Sequence, residues 1–174
     1  MSRTLMLYRH ARSDWGQAAL DHERRLDARG RRDARSMAVF MSACFAREHC
    51  QPEQILCSTA SRTRQTLAVL ADMLACPPGQ ILFEDSLYLA GCEQLLQRVR
   101  RLEPGLQRVM LVGHNEGLQQ LLELLCPDAP CKAGGRLLAT ANLAMIRLDA
   151  DWHRIQPASG SLERLVRPEE LGSL

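Results

Sequence analysis

Short runs of consecutive apolar residues alternate along this chain with stretches in which apolar residues recur every three or four positions, the pattern of buried strands feeding amphipathic helices. Residues 4–8 read as a first buried strand, and the polar stretch 13–25 as a surface loop. Asp27 is placed to cap a helix in which Ala34, Met37, Ala38, Met41 and Phe45 share one face. Residues 54–57 predict a second strand, and Ser58 stands where the cap of the next helix belongs. Leu67, Leu70, Ala71 and Leu74 form that helix's stripe, which Pro77 and Pro78 end. A connecting segment, 79–91, carries the apolar run 81–83 and the acidic residues Glu84 and Asp85. Cys92, Leu95, Leu96, Val99 and Leu102 then mark a third helix, closed by Pro104 and Gly105. Residues 108–112 are the clearest buried strand, and after a tight turn at 113–117 the fourth stripe is Leu118, Leu121, Leu122 and Leu125. Segments 143–148 and 152–155 flank the turn-like 149–151 and predict a hairpin at a sheet edge. The expected fold is α/β, a three-layer α/β/α sandwich with a mainly parallel central sheet and an antiparallel edge.

The chain has 174 residues and no repeat, low-complexity tract or linker, so one domain spanning 1–174 is expected. Hydrophobic residues make up 46% and charged residues 24%, the proportions of an ordinary globular protein. The net charge of +2 gives no electrostatic case for a nucleic-acid partner. The positive side is almost entirely arginine, with Lys132 the sole lysine, and arginines outnumber acids ten to six over residues 1–50. Seven cysteines without a CxxC argue against a disulfide framework or a zinc site, Cys126 and Cys131 being the nearest approach to a metal spacing. Reduced thiols, no signal-like segment and no apolar run of membrane-spanning length make a cytoplasmic protein without a membrane partner the expectation. No metal or cofactor is expected.

The polar residues that matter stand at strand ends. Arg9 and His10 follow the first strand, Ser58 to Arg62 the second, and Gly113 and His114 the strand at 108–112. In open α/β sheets ligands bind outside the carboxyl ends of the strands, so these residues can surround one small molecule. Two arginines and two histidines describe an anion pocket better than a metal site. Arg9 and Arg62 can each present paired donors to a phosphoryl group, and the start of a helix at Arg62 adds backbone amides and the helix dipole. A neutral imidazole is a competent nucleophile near pH 7, which suits His10, while His114 suits donation to a phosphoryl oxygen.

With these residues in place the chain resembles the histidine phosphatase superfamily, whose Arg-His-Gly signature is here RHA, with Ala11 at the glycine position. It is most similar to the small SixA-like phosphohistidine phosphatases of that phosphoglycerate mutase-like fold. The similarity runs through LYRHARSDW, RRLDARGRRDA, CSTASRTRQT, LYLAGCEQLL and VMLVGHNEGL, from residue 5 to about residue 125. The resemblance implies that His10 is the nucleophile, that Arg9 and Arg62 bind phosphate, and that His114 is the second pocket histidine. It sets Arg64 aside as a solvated helix residue. Arg12 and Ser13 flank the pocket, Ser13 as a substrate contact, and Arg24 and Arg25 stand where the family often has Arg-Pro. Larger members carry a glutamate as general acid where this chain has Tyr88 and Leu89, with Glu84 and Asp85 nearby. General acid catalysis contributes about 10²- to 10⁴-fold, so its absence points to N–P bonds or to esters with acidic leaving groups. The expected function is metal-independent dephosphorylation of protein phosphohistidine, for example on a histidine phosphotransfer domain, through a phosphohistidine intermediate that releases inorganic phosphate. A phosphomonoesterase acting on small esters and a non-catalytic phosphoprotein-binding module are the alternatives.

Overall fold

The computed structural model describes residues 2–16, 18–77, 79–129 and 137–172; Pro78, Cys131 and Lys132 lie outside them. Strand β1 (Arg3–Arg9) is followed by a long loop and by α1 (Ala28–Glu48), then β2 (Gln54–Ser58), α2 (Ser61–Leu74), β3 (Ile81–Glu84) and α3 (Cys92–Arg100). The remaining elements are β4 (Arg108–Gly113), α4 (Gly117–Leu125), β5 (Leu143–Leu148) and β6 (Gly160–Val166). The described strands form one sheet in the order β3-β2-β4-β1-β5-β6. The first four run parallel, and β5 and β6 add an antiparallel edge.

Period-two alternation along the strands builds two cores. Leu5 and Leu7 of β1 and Leu111 of β4 pack with Leu95, Leu96 and Val99 of α3 and Leu118, Leu121 and Leu122 of α4. Met6, Tyr8, Met110 and Val112 face the other way, onto Met37, Met41 and Phe45 of α1 and Leu67 and Leu70 of α2. The expected three layers are therefore present. The cap also forms as expected, Asp27 Oδ1 accepting from the Gly30 N–H at 2.7 Å.

Three expectations need correction. Segment 152–155 is not the second strand of the hairpin: Trp152–Arg154 is a 3-10 turn, and the partner of β5 is β6. The Arg154 and Ile155 N–H groups donate to the Asp151 and Trp152 carbonyls within the turn, and the Ile155 carbonyl accepts from Arg100, so these backbone groups are not available to a strand ladder, while the buried Trp152 ring donates from Nε1 to the Leu106 carbonyl at 2.7 Å. The apolar run at 81–83 is itself a parallel edge strand, β3, paired with β2. Ser58 does not cap α2; that place belongs to Ala60, which has no side-chain cap bond.

The loop after β1 is held tightly to the start of α1. Ser13 forms an isolated antiparallel bridge with Leu26, and the Asp27 N–H donates to the Arg12 carbonyl at 3.1 Å. A Cβ on Gly30 would lie 2.0 Å from that Arg12 oxygen, so only glycine allows helix and loop to come this close. Gly30→Ala should therefore destabilise the fold by about 1–3 kcal/mol through overpacking. Denaturant titration of both proteins checks this, and an unchanged midpoint would contradict the close approach.

Candidate active site

The register of the parallel strands decides what meets at their carboxyl ends. Arg9 pairs with Gly113 across β1 and β4, so His10 and His114 leave the sheet at the same level. Their ring centroids are 5.2 Å apart. Arg62, on the first turn of α2, joins them, and these residues line one cavity of about 310 Å³ with Arg9, Asp21, Arg24 and Asn115. The four residues singled out in the sequence are thus brought together.

His10 is buried, and its Nδ1 lies 2.7 Å from the Ala11 carbonyl oxygen. A carbonyl can only accept, so Nδ1 carries the proton and Nε2 keeps its lone pair. The Ala11 N–H donates to Thr66 Oγ1 at 2.9 Å, and that hydroxyl donates to the Arg62 carbonyl at 2.6 Å, which ties the histidine to α2. Burial, followed by the Arg62, Arg9 and Arg24 guanidiniums, outweighs the carbonyl contact and pushes the His10 pKa down to about 3. His114 is pushed to about 3 as well, by burial first and then by His10 and Arg62. Its Nε2 is 2.8 Å from Ser58 Oγ, while its Nδ1 is buried with no hydrogen-bond partner among the described residues. Ser58 therefore orients the second histidine instead of a helix end.

Arg62 is 1% exposed and packs its fork against Asp21, donating from Nη1 to the backbone oxygen at 2.6 Å and from Nη2 to Oδ2 at 3.0 Å. Arg9 donates from Nη1 to the Leu138 carbonyl at 3.0 Å. Ser13 is buried in the cavity wall and accepts from Arg24 Nε at 3.0 Å. Arg12 pairs with Asp27 at 2.8 Å, and Arg64 is exposed, its guanidinium 4.1 Å from the Phe83 ring centre.

Sequence reasoning did not find Asp21, and it left Arg24 as a loop residue. Arg24 reaches Asp21 Oδ1 at 3.0 Å and stacks over Trp15 at 3.6 Å. Tyr88 borders the site, its ring edge-on to His114 at 5.5 Å, and its hydroxyl donates to Asp21 Oδ2 at 2.5 Å. Glu84 is bound by Arg98 at 2.6 Å, and Asp85 accepts from Thr59 at 2.6 Å; neither lines the cavity. The described residues hold one Cys–Glu–Cys grouping close enough to share an ion, Cys44, Glu48 and Cys50. Arg164 already puts a cation there, 2.8 Å from Cys44 Sγ and 3.2 Å from Glu48.

The strand ends of this doubly wound sheet thus gather two arginines and two histidines around one cavity. Residues 5–82 match the model of the histidine phosphatase superfamily, branch 1. An uncharacterized chloroplastic protein of Arabidopsis thaliana is 31% identical over 183 residues, covering 97% of this chain and 79% of the relative. Among solved structures, a protein named "putative phosphohistidine phosphatase SixA" from Nakamurella multipartitia superposes with a TM-score of 0.77 at 29% identity, covering 97% of each chain. A protein histidine phosphatase SixA complexed with tungstate shares the fold at a TM-score of 0.77 and 21% identity, over 97% of this chain and 99% of the other. This chain belongs to the histidine phosphatase superfamily and is a SixA-like phosphatase.

The depressed histidines make stability depend on pH with a definite sign. Unfolded, both rings bind protons below about pH 6.5; folded, they refuse them until about 3, so stability is full above 6.5 and falls as pH drops between these values. His10→Ala removes one contribution. Its unfolding free energy should fall less steeply than wild type on acidification, as read by urea titration at several pH values; parallel curves would mean that His10 protonates normally in the folded protein.

Proposed function

We propose that the chain is a metal-independent phosphohistidine phosphatase in which His10 carries the phosphoryl group between substrate and water. The observation that carries this reading is the His10 ring, deprotonated on Nε2 because the Ala11 carbonyl holds the proton on Nδ1, and surrounded by guanidinium groups. Phosphoryl transfer needs mostly positioning and stabilisation of charge on the equatorial oxygens, which fixed cations can supply in place of a metal ion. Arg9 and Arg62 take those oxygens, and the buried Arg62 Nε, without a hydrogen-bond partner among the described residues, is one donor left for them. His114 meets Ser58 Oγ through Nε2 at 2.8 Å, which leaves its Nδ1, buried and without a hydrogen-bond partner among the described residues, as the second donor in the tautomer that carries the proton there. His10 Nε2 attacks in line, phospho-His10 forms, and water releases inorganic phosphate.

The substrate class follows from what borders the cavity. Tyr88 and Leu89 occupy the place of the family's glutamate, so an alkoxide would leave without a proton from that position. A phosphohistidine needs none. Trp15 and Leu89, which line the cavity, are 80% and 54% exposed, a rim open enough for a histidine carried on a protein such as a phosphotransfer domain of a cytoplasmic relay. Ser13 stands in the cavity wall, where it holds Arg24 and faces the substrate.

The test is a quench of the protein with a labelled phosphohistidine peptide, followed by mass spectrometry of the acid-labile label. Label on His10, full turnover in EDTA and loss of turnover in His10→Ala are expected. Label elsewhere would move the nucleophile, a need for added metal would remove the cation-pocket mechanism, and a higher kcat/KM on sugar phosphates would favour a small-molecule phosphomonoesterase.

A further inference from the structure

Asp21 is the one acidic side chain among the described residues that line the cavity. Its carboxylate accepts from Tyr88 and Arg62 on Oδ2 and from Arg24 on Oδ1. A carboxylate has about four lone-pair sites, so Oδ1 retains one. The side chain is 43% exposed, which leaves that site open to a ligand in the cavity. The Tyr88 hydroxyl first, then Arg62 and Arg24, hold its pKa below the usual carboxylate range, so at neutral pH it accepts protons in hydrogen bonds and does not donate one.

An imidazole departs readily from phosphorus when its far nitrogen carries a proton, because the ring then leaves as a neutral molecule. The enzyme's own histidine is arranged this way, with its far proton on the Ala11 carbonyl. The substrate's ring needs a matching acceptor. We propose that Asp21 is that acceptor: its carboxylate binds the far N–H of the substrate's phosphoimidazolium and so selects phosphohistidine over phosphate esters. This role rests on the reading of the chain as a phosphohistidine phosphatase.

The step balances without proton transfer. The substrate N–P bond breaks with its pair remaining on the departing nitrogen, while His10 Nε2 supplies the pair of the new N–P bond. The far proton stays on the departing ring, and the imidazolium charge passes to phospho-His10. In the second step water attacks phosphorus, the P–Nε2 bond returns its pair to His10, and the protons of water stay with the phosphate. An alkoxide, by contrast, would leave as an anion facing the Asp21 carboxylate, and like charge opposes it.

The experiment compares a phosphohistidine peptide with an aryl phosphate, whose leaving group needs no proton, in wild type, Asp21→Asn and Asp21→Glu. In Asp21→Asn the ratio of kcat/KM for the peptide to that for the aryl phosphate should fall about 10²-fold. The alkaline limb of kcat on the peptide should also move to lower pH, because the ring proton of the bound substrate is no longer held. Asp21→Glu should recover part of the ratio. An unchanged ratio, including an equal loss on both substrates, would overturn the proposal and leave Asp21 as a brace for Arg62. Wild-type protein that turns over the aryl phosphate but not the peptide defeats the phosphohistidine reading itself, a failure visible before any substitution, and takes this role with it.

Discussion

The site depends on one hydrogen bond, from Nδ1 of His10 to the carbonyl of Ala11, its own neighbour in the chain. It fixes the tautomer and the ring plane together. The carbonyl is held in turn because the Ala11 amide is tied through Thr66 to the backbone of Arg62, so His10 and Arg62 are parts of one rigid unit. The contact uses a backbone oxygen, which explains how alanine serves where the family signature has glycine: the Ala11 methyl is buried in the core beside α1 and α2 without disturbing the carbonyl.

Around that ring the charge is unbalanced: Arg9 and Arg62 press on two histidines that burial already keeps neutral, and Arg24 adds to the pressure on His10. Such a cup stores unfavourable electrostatics until an anion arrives. Asp21 relieves part of it by engaging Arg62 and Arg24, and Tyr88 keeps Asp21 in place. The same carboxylate stands on the cavity wall, so the group that braces the arginines is also the one proposed to select the substrate.

Much of this was legible in the chain because it was written in local pattern. Apolar runs marked β1, β2 and β4, helical stripes marked α1 to α4, and residues at the three strand ends, Arg9, His10, Arg62 and His114, were brought together by parallel register. What was hidden depended on distant partners. β6 carries Glu163 and Arg164 as an edge strand must, and only pairing with β5 makes it a strand. Trp152 and Ile155 looked like strand residues, but their backbone and ring groups are engaged by Leu106 and Arg100 from elsewhere in the sequence. Ser58 sat at a plausible cap position and is instead drawn to a histidine 56 residues away. Asp21 had no periodic or motif context at all; its meaning comes from Arg62, Arg24 and Tyr88 converging on it.

The central claim is the protonation state of the nucleophile, and nitrogen-detected NMR of the ring with histidine labelling, assigned by comparison with His10→Ala, addresses it directly. Between about pH 5 and 8 the account predicts a neutral His10 with its proton on Nδ1 and an unprotonated Nε2, over a range in which an ordinary imidazole titrates. An imidazolium in that range, or a proton found on Nε2, would contradict it.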